Sequence, residues 1–187
     1  LDRWHNYMGR MMIDTEVYVR SLANGGTLLH PAIEQTIRDE VFDKDIVASF
    51  SDAEKDWARK SYRQFLAWKA DHDVVPLLME HRMVSEAMRC GGTLDLYAEV
   101  DGKFTVMDWK SSASVRNTHL IQVAAYRAML EESGSGVDEV RVLSFPRTGK
   151  VWTEHVIVDT AEHLEVFQAA LGLYRLLQSK WGTKAKR

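Results

Sequence analysis

One cysteine, Cys90, is all the thiol chemistry that this chain of 187 residues carries. A lone cysteine cannot close an internal disulfide, and it cannot supply a four-thiolate zinc site or a four-cysteine iron–sulfur cluster. A reducing, intracellular setting is the expectation, cytoplasmic if the source is bacterial or a phage. Long apolar runs are missing too: none approaches the roughly 18–20 residues of a membrane span, so no membrane partner is expected. No secretory leader opens the chain, which begins at Leu1 as a trimmed fragment would. Positive charge is not in excess. The net charge of −3 argues against coating nucleic acid by bulk electrostatics, although it leaves room for a local basic groove aided by metal ions. There is no G-x-x-x-x-G-K-S/T phosphate loop, no internal repeat and no low-complexity segment.

What is present is ordinary for a globular protein: 45% hydrophobic and 27% charged residues, enough for one domain over residues 1–187. Residues 1–75 read as a helical N-terminal part. The patterning predicts helices over 14–24, closed by Gly25-Gly26, and over 27–42, with Pro31 tolerable only near the first turn. Ser51 and Glu54 form a capping-box pattern that opens a helix running to about Ala70. Its Trp57, Tyr62, Phe65 and Trp68 have helical spacing with apolar neighbours, which favours core packing over base stacking. Residues 76–187 change period. Strands are expected over 77–85, 94–100 and 104–109, a helix over 117–132, strands over 140–145 and 151–158, and a closing helix over 160–181. That order suits an α/β fold, a mixed central β-sheet flanked by helices. The basic tail from Lys184 to Arg187 reads as a solvated end.

The stretch from Gly92 to Lys110 concentrates the chemistry. Asp101-Gly102 is a hairpin signal between two strands. Side chains alternate along a strand, so Asp108 and Lys110 share a face that Asp95 can reach from the neighbouring strand. Two carboxylates and an ammonium can hold a hard divalent cation and present positive charge to a phosphate or an attacking water. Glu80 precedes this hairpin and is a candidate for a second cation, with Glu86 a weaker one. Gln122 and Tyr126, four apart, lie on one helical face.

Asp95 followed by Asp108-Trp109-Lys110 resembles the core of the PD-(D/E)XK nuclease superfamily. Gly26-Thr27-Leu28-Leu29-His30 resembles the G-T-x-x-H element of its RecB-like exonuclease branch, and Gln122-Val123-Ala124-Ala125-Tyr126 that branch's Q-x-x-x-Y helix. The elements fall in the expected order across residues 26 to 126, with Gln122 twelve residues after Lys110. Leu94 replaces the proline of the family pattern, an accepted variant in this branch. The compact size resembles phage-type and mitochondrial-genome-maintenance-type exonucleases.

The resemblance implies a restriction-endonuclease-like core and a divalent-metal-dependent DNA exonuclease of replication, recombination or repair. Mg²⁺ or Mn²⁺ would be the cofactor, held by Asp95, Asp108, the backbone carbonyl of Trp109 and His30, whose imidazole suits Mn²⁺. No iron–sulfur cluster is implied. Lys110 would act on the attacking water, while Gln122 and Tyr126 would orient the lysine or contact DNA. Ser111, Ser112, Arg116, Tyr126 and Arg127 are the candidate DNA contacts. The implied partners are DNA, single-stranded or with a free end, and recombination or replication proteins. A structure- or sequence-specific endonuclease on the same core is the alternative enzyme. A catalytically inactive nucleic-acid-binding homologue is the non-enzyme alternative, which would bind DNA without binding cations at Asp95 and Asp108.

Overall fold

The computed structural model describes residues 28–40, 44–112, 114–146 and 151–181. In chain order these form α1 (28–37), a 3-10 turn (Lys44–Val47), α2 (Asp52–Ala70), β1 (Val74–Ser85), β2 (Cys90–Val100), β3 (Lys103–Lys110), α3 (Asn117–Glu132), β4 (Glu139–Ser144), β5 (Thr153–Ile157) and α4 (Ala161–Trp181). The helix expected over 14–24 lies outside the described residues, as does the basic tail. The strands form one sheet in the order β1-β2-β3-β4-β5.

Short turns set the first three strands antiparallel. Val100 pairs with Lys103 around Asp101 and Gly102, whose φ values of 53° and 80° are those of a two-residue turn matched to strand twist. A helix must bridge β3 to β4, and that crossover sets them parallel. The Asp138 N–H donates to the Phe104 carbonyl near the start of both strands. The Phe145 N–H donates to the Lys110 carbonyl near their ends. The sheet is therefore mixed.

The chain divides into two compact units. The first takes residues 1–72, 109–114 and 144–153. Its α2 begins at the expected capping box: the Ser51 N–H donates to Glu54 Oε2 at 2.8 Å, and the Glu54 N–H to Ser51 Oγ at 3.4 Å. Trp57, Ala58, Ser61, Phe65 and Trp68 bury one face of this helix. Phe65 stacks on Trp68 and meets Trp109 edge-on, ring centres 6.2 and 5.8 Å apart. These aromatics are core. Helix α1 buries Leu28, Leu29 and Ile33, and its Thr36 hydroxyl lies 2.6 Å from that of Tyr62.

Helix α1 ends sooner than the pattern over 27–42 suggests. Asp39 takes φ 57°, the Glu40 N–H reaches back to the Gln35 carbonyl at 2.8 Å, and the Asp39 N–H to that of Thr36. This is a Schellman cap with aspartate in the left-handed position that glycine usually fills.

The second unit takes residues 73–108, 115–143 and 154–187. Its core packs α3 against the sheet through Leu94, Tyr97, Val106, Leu120, Val123, Ala125, Tyr126, Met129, Leu130, Val140 and Val142. Glu139, buried on β4, is bracketed by Lys103 Nζ at 2.7 Å and Arg141 Nε at 2.7 Å. Burial alone would push its carboxyl up. The Lys103 and Arg141 bonds and charges outweigh that and hold it below its ordinary value. Among the described residues, no helix is long and apolar enough to cross a membrane.

Candidate active site

The second unit brings the acidic residues together. On β1 and β2, Met79 sits opposite Leu96 and His81 opposite Leu94, so Glu80 and Asp95 occupy the register position between those pairs. Their carboxylate oxygens lie within 4.8 Å of each other. The β2–β3 ladder ends at Leu96 opposite Met107, which makes Asp95 and Asp108 the next residues along on adjacent strands. Asp108 is buried and Asp95 half-buried, while Glu80 is exposed.

Glu80 has φ 46°, a left-handed backbone in the middle of a strand. For a non-glycine residue this costs roughly 1–2 kcal/mol, and such conformations gather at functional sites because surrounding contacts enforce them. Hydrophobic patterning carries no trace of it.

Tyr126 reports the same convergence from α3. Gln122 Nε2 donates to its hydroxyl oxygen at 2.7 Å, one helical turn away. Burial pushes the phenol above its ordinary pKa. The Gln122 bond pulls it back, and the charges of Asp108, Asp95 and Glu80 push it up again. The phenol therefore stays neutral, and its O–H can act as a donor. The ring fits because Gly92 has no side chain: a Cβ there would lie 2.7 Å from Tyr126 Cε1. Nothing in the local sequence around Gly92 announces this close approach, because the ring comes from α3.

In the first unit, His30 lies half-buried on α1. Lys110, half-buried, ends β3, and its carbonyl is held by the Phe145 N–H at 2.8 Å. It lies two positions after Asp108, so strand alternation gives both side chains one face. Trp109 points its ring the other way, into contact with Phe65.

Several expected DNA contacts also make hydrogen bonds within the protein. Arg127 spends its guanidinium on Glu131 at 2.7 Å, on the Val137 carbonyl at 2.9 Å and on the Val158 carbonyl. It ties α3 to the segments that lead into β4 and α4. Ser112 Oγ donates to the Ser114 carbonyl at 2.7 Å, and the Ser112 carbonyl accepts from Ser144 Oγ at 2.6 Å, so this hydroxyl too shapes its loop. Glu86, exposed, offers its backbone N–H to Glu132 at 2.8 Å. Ser111 is half-buried and Arg116 exposed. The Arg116 backbone N–H donates to His119 Nδ1 at 3.2 Å at the start of α3.

The PD-(D/E)XK nuclease superfamily profile matches residues 14–178, most of the chain. The chain belongs to this superfamily. No curated protein sequence matches it. Among solved structures it is similar to a protein of Eubacterium rectale provisionally designated an exonuclease, with a TM-score of 0.55 and 13% identity over 87% of this chain and 68% of that one. At that identity the likeness shows the fold, an α/β restriction-endonuclease-like core, and no more. PD-(D/E)XK nucleases are hydrolases that act on nucleic acid with divalent metal ions, and the donor set fits that need. Two carboxylates within 4.8 Å repel by about 0.9 kcal/mol even at the dielectric of water. A dication reverses the sign of that interaction, and oxygen donors this close can share one ion.

Proposed function

We propose that the chain is a single-domain DNA exonuclease that hydrolyses phosphodiester bonds in replication, recombination or repair, with Mg²⁺ or Mn²⁺ as cofactor. The observation that supports this most is the pair of carboxylates Glu80 and Asp95 within 4.8 Å of each other, with Asp108 next to Asp95 on the adjacent strand that also carries Lys110. Asp95, Asp108, His30 and the Trp109 carbonyl would hold the metal, with Glu80 a candidate for a second cation; when bound, the metal supplies charge neutralisation at the phosphate and lowers the pKa of water.

The chain's own groups do the rest. Lys110, on the face of β3 that Asp108 occupies, orients the attacking water and offsets negative charge growing on the phosphoryl oxygens. Tyr126, kept neutral, donates its O–H toward the carboxylates or a phosphate oxygen, and Gln122 fixes its direction. Ser111 and Arg116 are the remaining candidates for the DNA backbone, since Ser112 and Arg127 are engaged elsewhere. The DNA would be single-stranded or carry a free end.

The test is release of nucleotides from end-labelled linear DNA with Mg²⁺, Mn²⁺ or EDTA, beside closed circular DNA. Cleavage should need a metal, spare the circle and fall by at least a hundredfold in Lys110→Ala and Asp108→Asn. Cutting of the circle would make the enzyme an endonuclease. Lack of cleavage with either metal would overturn the proposal.

A further inference from the structure

Gly92 is an odd choice for its position. It lies within β2 opposite Met83, in a strand that needs no left-handed turn there. Glycine inside a strand costs roughly 0.5–1 kcal/mol relative to alanine through the entropy of the unfolded chain. A close approach by another group is the usual reason to keep one.

The group is Tyr126. A Cβ built on Gly92 would stand 2.7 Å from Cε1, 3.5 Å from Cδ1 and 3.6 Å from Cζ of that ring. Carbon atoms pack at about 3.5–4.0 Å, so the ring would have to move by most of an ångström. It has little freedom to do so, being 8% exposed and part of the core with Leu94, Val123, Met129 and Leu130. The same ring carries the hydroxyl that Gln122 holds at 2.7 Å and whose ionisation the charges of Asp108, Asp95 and Glu80 oppose. One bare position on the strand therefore sets how far the phenol can lean toward the acids.

We infer that Gly92 is a positioning residue of the active site: its missing side chain is the seat of the Tyr126 ring and fixes where the hydroxyl meets the acidic cluster. The inference rests on the nuclease reading for its purpose, but not for its geometry. Two residues that the sequence separates by a strand, a turn and half a helix act as one unit. Alanine, otherwise the mildest substitution, is the disruptive one here.

The test is a double-mutant cycle of Gly92→Ala and Tyr126→Ala, read in both thermal stability and cleavage. In the wild-type background Gly92→Ala should lower Tm by roughly 5 °C, as overpacking does in a protein of this size. It should also cut kcat about tenfold or more with little change in KM, because a displaced group is lost in the transition state. In the Tyr126→Ala background the ring is gone, so Gly92→Ala should cost no further stability and no further kcat. Tyr126→Phe keeps the ring, so the stability coupling should persist in it while the hydroxyl's share of kcat is lost. Equal loss of Tm in both backgrounds would place the defect in the strand and overturn the seat. A lowered Tm with full kcat would overturn the positioning role. If the wild type cleaves nothing, the nuclease reading fails, and the stability cycle still decides the seat.

Discussion

Exchanging Glu80 for glycine should leave a more stable protein than exchanging it for alanine. The two variants lack the same carboxylate and the same contacts, so their difference isolates the backbone. At φ 46° an alanine suffers the clash of Cβ with the following carbonyl, about 1–2 kcal/mol, which glycine escapes. Glycine gives back about 0.4–1 kcal/mol because its unfolded chain is freer. The net advantage is about 0.5–1 kcal/mol, the reverse of the usual order inside a strand. Urea unfolding at constant m-value should resolve it as a shifted midpoint, and it corresponds to roughly 1–4 °C in Tm. Calorimetric Mn²⁺ titration should find both variants equally weakened, since both lose the carboxylate near Asp95. An alanine variant as stable as the glycine variant, or more so, would refute the left-handed assignment of Glu80.

Two further outcomes follow from groups outside the acidic cluster. Glu132 accepts from the Ser85 hydroxyl, Ala87 N–H and Glu86 N–H, and with Ser85 first these bonds outweigh desolvation and hold its carboxyl below the ordinary value of 4.5. Its stabilising effect is therefore complete above pH 4.5 and lost as pH falls through the lowered value, so the stability gap between wild type and Glu132→Gln should close on acidification. Arg127→Met should lower Tm by releasing α3 from the Val137 and Val158 carbonyls, yet leave DNA affinity and its salt slope unchanged. A reduced slope in filter-binding titrations would restore Arg127 to the DNA surface.

Local signals were read well from the sequence and long-range ones were not. The capping box at Ser51, the turn at Asp101-Gly102 and the bounds of α3 each depend on a few adjacent residues, and each matches expectation. The acids and Lys110 were visible because strand alternation turns sequence spacing into a shared face. The end of α1 was misjudged because aspartate at position 39 adopts a conformation that only glycine announces. Arg127 looked like a surface charge because its carbonyl partners lie 10 and 31 residues away. Gly92 and Glu80 carry no periodic signature: the role of each depends on what a neighbouring element brings against it.

The irregular register of β1 has a further consequence, for how the molecule behaves in a crowd. Among the described residues β1 is an edge strand of 12 residues with Val75, Leu77 and Val84 exposed, a length and composition that invite another chain to add a strand. Pro76 donates no hydrogen bond, the register slips between Pro76 and Leu78, and Glu80 turns the backbone left-handed. An incoming straight strand would find the row of donors and acceptors broken three times within five residues. The irregularity thereby keeps the sheet from growing, so a variant that straightens β1 should be judged by its tendency to aggregate as well as by its loss of metal.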